Sequence, residues 1–214
     1  MSRALAKSEA APPLWESFKR QGIQQAVIQL MCREGLKSVT MDRVAEEAGI
    51  AKGTVYLHFR DKQELLDEVK NASLAPLISK LDEIFENDAS PSSKLHSYSL
   101  RYLSYFDERR DLFRILLYER EETQVQGSRD RGDRYRHLVD ATAVVLAAGV
   151  ADGSFPPMDA LAVAAMWVES NFAMLNLRLL TERHQTVEDD ARTVSDLFIH
   201  GLQLDVASRK RSSR

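Results

Sequence analysis

Lys52, Gly53, Thr54, Tyr56 and His58 stand within one seven-residue span, and together they have the chemistry of a surface that meets nucleic acid. A lysine neutralises a phosphate, a hydroxyl or imidazole hydrogen-bonds to phosphates or base edges, and a glycine lets a helix backbone come close. Val55 and Phe59 fall four apart in the same stretch, which turns a separate, apolar side of a short helix inward. The rest of the reactive inventory argues against catalysis. His58, His96, His137, His184 and His200 are scattered without metal-ligand spacing, no Gly-rich phosphate loop or nucleophile elbow occurs, and the single cysteine, Cys32, has no evident partner. No enzyme activity, metal or cofactor is expected.

A contact helix this short needs neighbours to hold it. Just upstream, Val44, Ala45 and Ala48 place small apolar side chains on one face of another short helix, and Gly49 ends it, with Ile50 supplying the apolar contact that accompanies such a cap. Residues 38–62 therefore read as a helix-turn-helix running into a third helix. Before it, Ile23, Ala26, Val27, Leu30 and Met31 form an apolar stripe on a helix from Phe18 to Glu34, closed by Gly35. Thr40 stands at an N-cap position with Asp42 in the following turn, and Asp61 with Glu64 resembles a capping box. Ala51 caps the contact helix poorly, at a cost of about 1 kcal/mol, so that helix is expected to be partly frayed without DNA.

The wording of Ala45 to Leu65 is more specific than a generic helix-turn-helix. Ala45-x-x-Ala48-Gly49, Gly53-Thr54-x-Tyr56-x-x-Phe59 and Lys62-x-x-Leu65 at these offsets closely resemble the N-terminal domain of the tetracycline-repressor (TetR) family of transcriptional regulators. The likeness is strong over about a quarter of the chain; beyond it only the helical layout agrees. It implies phosphate contacts by Thr40 and Lys62, a homodimer on a double-stranded, approximately palindromic operator, and a small-molecule effector site in the remaining helices. Residue 51 is alanine where many members have a capping serine.

No period-2 alternation appears anywhere, so the fold class is all-α: an N-terminal three-helix DNA-binding domain with the helix-turn-helix, followed by a larger helical ligand-binding and dimerisation domain. The expected division is a mobile arm over 1–13, the DNA-binding domain over 14–62, the effector and dimerisation domain over 63–208, and a basic tail over 209–214. Pro76 should kink the helix that links the two domains. Ser90 and Pro91 open the next helix, residues 119–134 read as a loop or a solvated helix start, and Thr186 with Asp189 opens the last helix.

Aromatic stripes and a few polar groups on apolar helices supply the expected effector pocket: Tyr98, Tyr102, Phe106, Phe113, Tyr118, Trp167, Glu169, Asn171, Phe172 and Met174. The effector would then be mostly hydrophobic or aromatic. Surplus apolar faces on the last two helices suggest a four-helix dimer interface, read as Leu161, Ala165, Val168, Leu175 and Leu179 with Val187, Ala191, Val194 and Phe198. Charge supports the division of labour. Residues 1–62 hold ten Lys/Arg against seven Asp/Glu, whereas the whole chain of 214 residues carries −3. One cysteine, no signal-peptide pattern and no run near the ~20 apolar residues of a membrane span point to a cytoplasmic protein. The competing reading is a helical interaction protein that acts through a protein partner with weak or no operator binding.

Overall fold

The structure is a computed structural model that describes residues 14–123, 129–181 and 184–202. Among these residues there is no strand. The helices are α1 (Leu14–Glu34), α2 (Met41–Glu47), α3 (Lys52–His58), α4 (Lys62–Glu86), α5 (Pro91–Asp107), α6 (Arg110–Thr123), α7 (Arg129–Ala151), α8 (Ala160–Leu180) and α9 (Val187–Leu202), with a 3-10 turn at Leu36–Ser38. The chain divides inside α4, between Asn71 and Ala72, into two compact units. The expected arm over 1–13 and the basic tail over 209–214 lie outside the described residues.

In the N-terminal unit the first helix begins earlier than Phe18, at Leu14, because nothing between 14 and 18 breaks a helix. Its stripe Ile23, Ala26, Val27, Leu30 and Met31 is buried against Val39, Met41, Val44, Ala45, Val55, Phe59, Leu65, Leu66 and Val69. Local chemistry fixes the ends. Gly35 and Gly49 adopt φ of 80° and 64°, the left-handed region that favours glycine. Thr40 Oγ1 accepts from the Arg43 N–H at 3.3 Å, and Asp61 Oδ1 accepts from the Glu64 N–H at 2.9 Å. Glu64 reaches back one residue further than a standard capping box, accepting from the Arg60 N–H at 2.6 Å. The Arg33–Glu34–Arg43–Glu47 network ties α1 to α2, and hydrogen bonds from Arg43 and then Arg33 hold the Glu34 carboxyl down at about 2.

In the second unit, α5 packs on α9 and α7 on α8, with α5 also against α7 and α8. A chain of ring contacts forms the core: Phe85–Tyr98–Tyr102–Phe106–Phe113–Phe172, with Trp167 between Tyr98 and Phe198. Ser90 Oγ accepts from the Ser93 N–H with Pro91 at the first helical position, and Thr186 Oγ1 accepts from the Asp189 N–H at 3.1 Å while donating to the same residue's carboxylate. α4 runs through Pro76 as one helix, with the proline exposed. The segment 119–134 is helical at both ends, with α6 reaching Thr123 and α7 starting at Arg129; residues 124–128 lie outside the described residues. Phe155, in the turn after α7, is fully buried over Gly149, where a Cβ would come within 2.3 Å of the ring, so this close approach requires glycine.

α8 corrects one expectation. It is 21 residues long with a mean hydropathy of 1.3 over its most apolar stretch, enough by length and composition alone to cross a membrane. Its buried Asn171 and its Arg178, which pairs with Asp107 of α5 and Asp190 of α9, instead fit a helix packed inside a protein.

Candidate functional site

α2 and α3 build a surface around a tight turn. The Ile50 N–H donates to the Ala45 carbonyl at 3.0 Å and the Gly49 N–H to Glu46 at 3.1 Å, which closes the turn. Val55 and Phe59 anchor α3 at 0% and 1% exposure, so its other faces are free. Lys52, Gly53 and Tyr56 are exposed, and Thr54 and His58 are half-exposed. α3 is a formed helix although Ala51 offers no side-chain cap.

Two details separate contact chemistry from packing. A Cβ built on Gly53 would meet no protein atom within 4 Å, so nothing in the fold asks for glycine there. Glycine inside a helix costs about 0.5–1 kcal/mol relative to alanine. Its use on the outward face of α3 therefore fits close approach by something outside the chain. Gly53→Ala should raise the melting temperature by a few degrees while weakening DNA binding; calorimetry beside fluorescence anisotropy checks both signs, and improved binding would remove Gly53 from the contact surface. Leu57 is the second detail. It is 85% exposed on the same helix, an apolar side chain with no internal role that could meet a thymine methyl in a major groove. Sequence alone gives Leu57 no contact role, since an exposed leucine has no polar signature.

The cations around this surface are not equivalent. Lys52 Nζ lies 2.6 Å from Asp42 Oδ1 and 5.9 Å from the Tyr56 ring centroid, and the Asp42 hydrogen bond raises the Lys52 pKa above the ordinary lysine value. Lys62 Nζ donates to the Leu36 carbonyl at 3.3 Å. That bond draws Lys62 to the 3-10 turn whose last turn carries Lys37, an exposed lysine with no ion pair among the described residues. Lys37 was missed because a lone lysine in a connecting segment carries no periodicity. With Thr40 at the start of α2, the surface offers a lysine-rich edge beside an outward helix, the arrangement by which phosphate contacts position a helix for base contacts.

The second unit contains a pocket of about 120 Å³ lined by Leu74, Leu77 and Ile78 of α4, Tyr102 and Phe106 of α5, Leu116 of α6, Arg134, Tyr135 and Leu138 of α7, and Val168, Glu169 and Phe172 of α8. Of the residues expected there, Tyr102, Phe106, Glu169 and Phe172 line it. Tyr98, Phe113 and Trp167 are instead buried in the aromatic core, and Asn171 is fully buried with its amide donating to the Trp167 carbonyl at 2.9 Å. Met174 is half-buried off the lining, and the side chain of Tyr118 lies outside the described residues. Helical spacing does not separate the two roles: α5, α6 and α8 each supply both core and pocket residues, and the rest of the wall comes from α4 and α7. Burial pushes the Tyr98 hydroxyl well above its ordinary pKa, so it stays neutral.

Most of the expected dimer seam is covered within the unit. Val168, Leu175, Ala191 and Val194 are buried within the unit itself, and Phe198 meets Trp167 edge-on, because α9 turns its apolar face onto α5 and α8. Ala165, Leu179 and Val187 are half-buried, and only Leu161 of the expected set is exposed. The spare apolar face is a different one. On α8, Ala162, Met166, Ala173, Leu177 and Leu180 are exposed at helical spacing, and Leu197 of α9 is 72% exposed.

Residues 23–69, which span the buried core and contact face just described, match the family described as bacterial regulatory proteins, tetR family. That segment is a TetR-family DNA-binding domain. A chain that carries it is a DNA-binding transcriptional regulator and not an enzyme. It is 27% identical over 153 residues to the HTH-type transcriptional repressor KstR2 of Mycolicibacterium smegmatis, covering 68% of this chain and 71% of that protein. It is 34% identical over 87 residues to the HTH-type transcriptional regulator SAB2452 of Staphylococcus aureus, an alignment that covers 41% of this chain and 46% of that protein. In fold, the chain is similar to the transcriptional regulator FadR of Bacillus subtilis solved with stearoyl-CoA, at a TM-score of 0.74 and 16% identity over 86% of this chain and 99% of that one. It is also similar to SmeT, the repressor of a Stenotrophomonas maltophilia multidrug efflux pump, at a TM-score of 0.71 and 18% identity over 87% of this chain and 91% of that one.

Proposed function

We propose that this regulator is a cytoplasmic repressor that binds an approximately palindromic operator as a homodimer and is released by a small, mostly apolar effector. The observation that carries the DNA half is the outward face of α3, where Gly53 has no internal reason to be glycine and Lys52, Thr54, Tyr56 and His58 surround it. Thr40 and Lys62 take phosphates beside that helix. A two-fold pair of such helices would enter major grooves about 34–36 Å apart. The exposed stripe Ala162, Met166, Ala173, Leu177 and Leu180 supports a second copy of this chain as the occupant, since an isologous pairing buries the same stripe twice.

The effector half is supported by the pocket in the second unit. Its wall is mostly apolar, with Arg134, Glu169 and the two tyrosines Tyr102 and Tyr135 as the polar groups, which suits a hydrophobic body with a polar end. At about 120 Å³ the pocket is smaller than a lipid-sized ligand, so uptake requires its helices to part. A long acyl chain is the first class to test, given the ligand that the similar FadR protein carries.

An electrophoretic mobility-shift assay on the DNA upstream of its own gene tests both halves. The expected result is a retarded complex that Tyr56→Ala with Lys62→Ala removes and that stearoyl-CoA or another apolar ligand releases. A folded protein that gives no shift at low salt would favour action through a protein partner. A shift that persists across apolar ligands that do raise its melting temperature would refute release.

A further inference from the structure

Most cations of the N-terminal unit are already matched by acids of the same unit. Arg20 pairs with Glu68 at 2.6 Å, Arg33 with Glu47 at 2.7 Å, Arg43 with Glu34 at 2.5 Å, Arg60 with Glu64 at 3.1 Å and Lys70 with Asp67 at 2.6 Å. These acids lie on helices α1, α2 and α4. The pair that involves the contact helix differs in position. Lys52 is the lysine of α3, and its ammonium is held at 2.6 Å by Asp42, an acid in the first turn of α2 that is itself on the exposed surface. Thr40 already supplies the N-cap of α2, so the helix start does not depend on Asp42 for its hydrogen bond.

We infer that Asp42 is an affinity-setting residue of the DNA interface: its carboxylate is an internal competitor for the phosphate oxygen that Lys52 meets on DNA. Carboxylate and phosphate oxygens take the same kind of short, charge-assisted contact with an ammonium. Binding therefore exchanges one anion for another at Lys52. Lys52 then adds less to affinity than an unpaired lysine would, and the carboxylate it leaves faces the phosphate backbone. The pair delivers no net positive charge, so it also contributes little to the salt dependence that phosphate neutralisation produces. The inference rests on the reading that α3 faces DNA.

The test uses the full-length protein and a fluorescein-labelled 30-base-pair duplex of arbitrary sequence, because a phosphate effect does not need the operator. Anisotropy titrations from 50 to 200 mM NaCl compare wild type, Asp42→Asn, Lys52→Gln and the double variant, with circular dichroism and melting temperature as folding controls. Asp42→Asn is expected to bind about two- to fivefold more tightly at low salt, the range an exposed ion pair allows. Its plot of log affinity against log salt should steepen by about one. The gain should vanish in the Lys52→Gln background. Unchanged affinity and slope for Asp42→Asn would overturn the inference, as would an equal gain without Lys52, which would mean plain repulsion of the backbone. Binding by all four proteins without an Asp42 effect defeats this inference alone. No binding by any folded variant defeats the DNA-facing assignment of α3 and the inference with it.

Discussion

Arg178→Met is expected to lower the stability of the second unit by about 3 kcal/mol, the scale for removing one partner of a buried ion pair. Arg178 is 9% exposed at its side chain and spans three elements: it donates to Asp190 of α9 at 2.5 Å, to Asp107 of α5 at 3.1 Å and to the Gln185 carbonyl at 3.1 Å. Asp190 is fully buried, so its charge was taken out of water on the strength of such partners. Arg178→Lys should recover only part of the loss, because a lysine ammonium cannot hold three acceptors in the planar fork of a guanidinium. Urea denaturation followed by circular dichroism measures both variants, and a Met variant as stable as wild type would mean the pairs contribute nothing net.

The same cluster sets a pH dependence. Burial alone would raise the Asp107 pKa, but hydrogen bonds from Arg178 and Arg110 outweigh it and the net shift is downward. A carboxylate depressed in the folded state adds stability that is complete above its unfolded pKa, about 4, and is lost as pH falls through the folded value. Wild type should therefore lose stability below about pH 4, and Arg178→Met should lose less over that window.

The second large effect concerns DNA. Lys37→Ala with Lys62→Ala should weaken binding on the order of 10- to 100-fold at 50 mM salt and flatten the salt slope by about two, one for each phosphate contact removed. Lys62 sits in the first turn of α4, where the positive end of the helix dipole disfavours a cation, so helix stability does not explain it. Its bond to the Leu36 carbonyl brings it beside Lys37. Anisotropy with the same salt series decides the matter. A slope unchanged by the double substitution would remove this edge from the interface.

Local rules made the N-terminal unit largely legible. A hydrogen bond from one residue to the third residue beyond it is written in the sequence: the caps at Thr40 and Asp61 form here, as do those at Ser90 and Thr186 in the second unit. The positive φ of Gly49 follows from the need to turn between two short helices whose apolar residues must share one core. A unit held by three short-range turns and one stripe leaves few alternatives, so its buried side was readable and its contact face follows as the complement. Lys37 and Leu57 escaped because each is a single residue without spacing.

The second unit was legible only as helices. Tyr98, Tyr102 and Phe106 occupy one face of α5 by the same spacing, yet Tyr98 is core and the other two line the pocket. The difference lies in what packs opposite, and the facing residues of α4 and α7 lie on other helices, beyond the reach of helical spacing. α8 is apolar on more than one side, and nothing in its own pattern said that Val168 and Leu175 would turn inward and Met166 and Leu177 outward. Sequence by itself determined the class, the capped helix starts and the outward chemistry of α3, since these depend on residues within one or two turns of each other. Tertiary structure decided which lysine is already held by an acid, where a cavity opens and which apolar stripe remains uncovered, because each is set by a neighbour that helical spacing does not name.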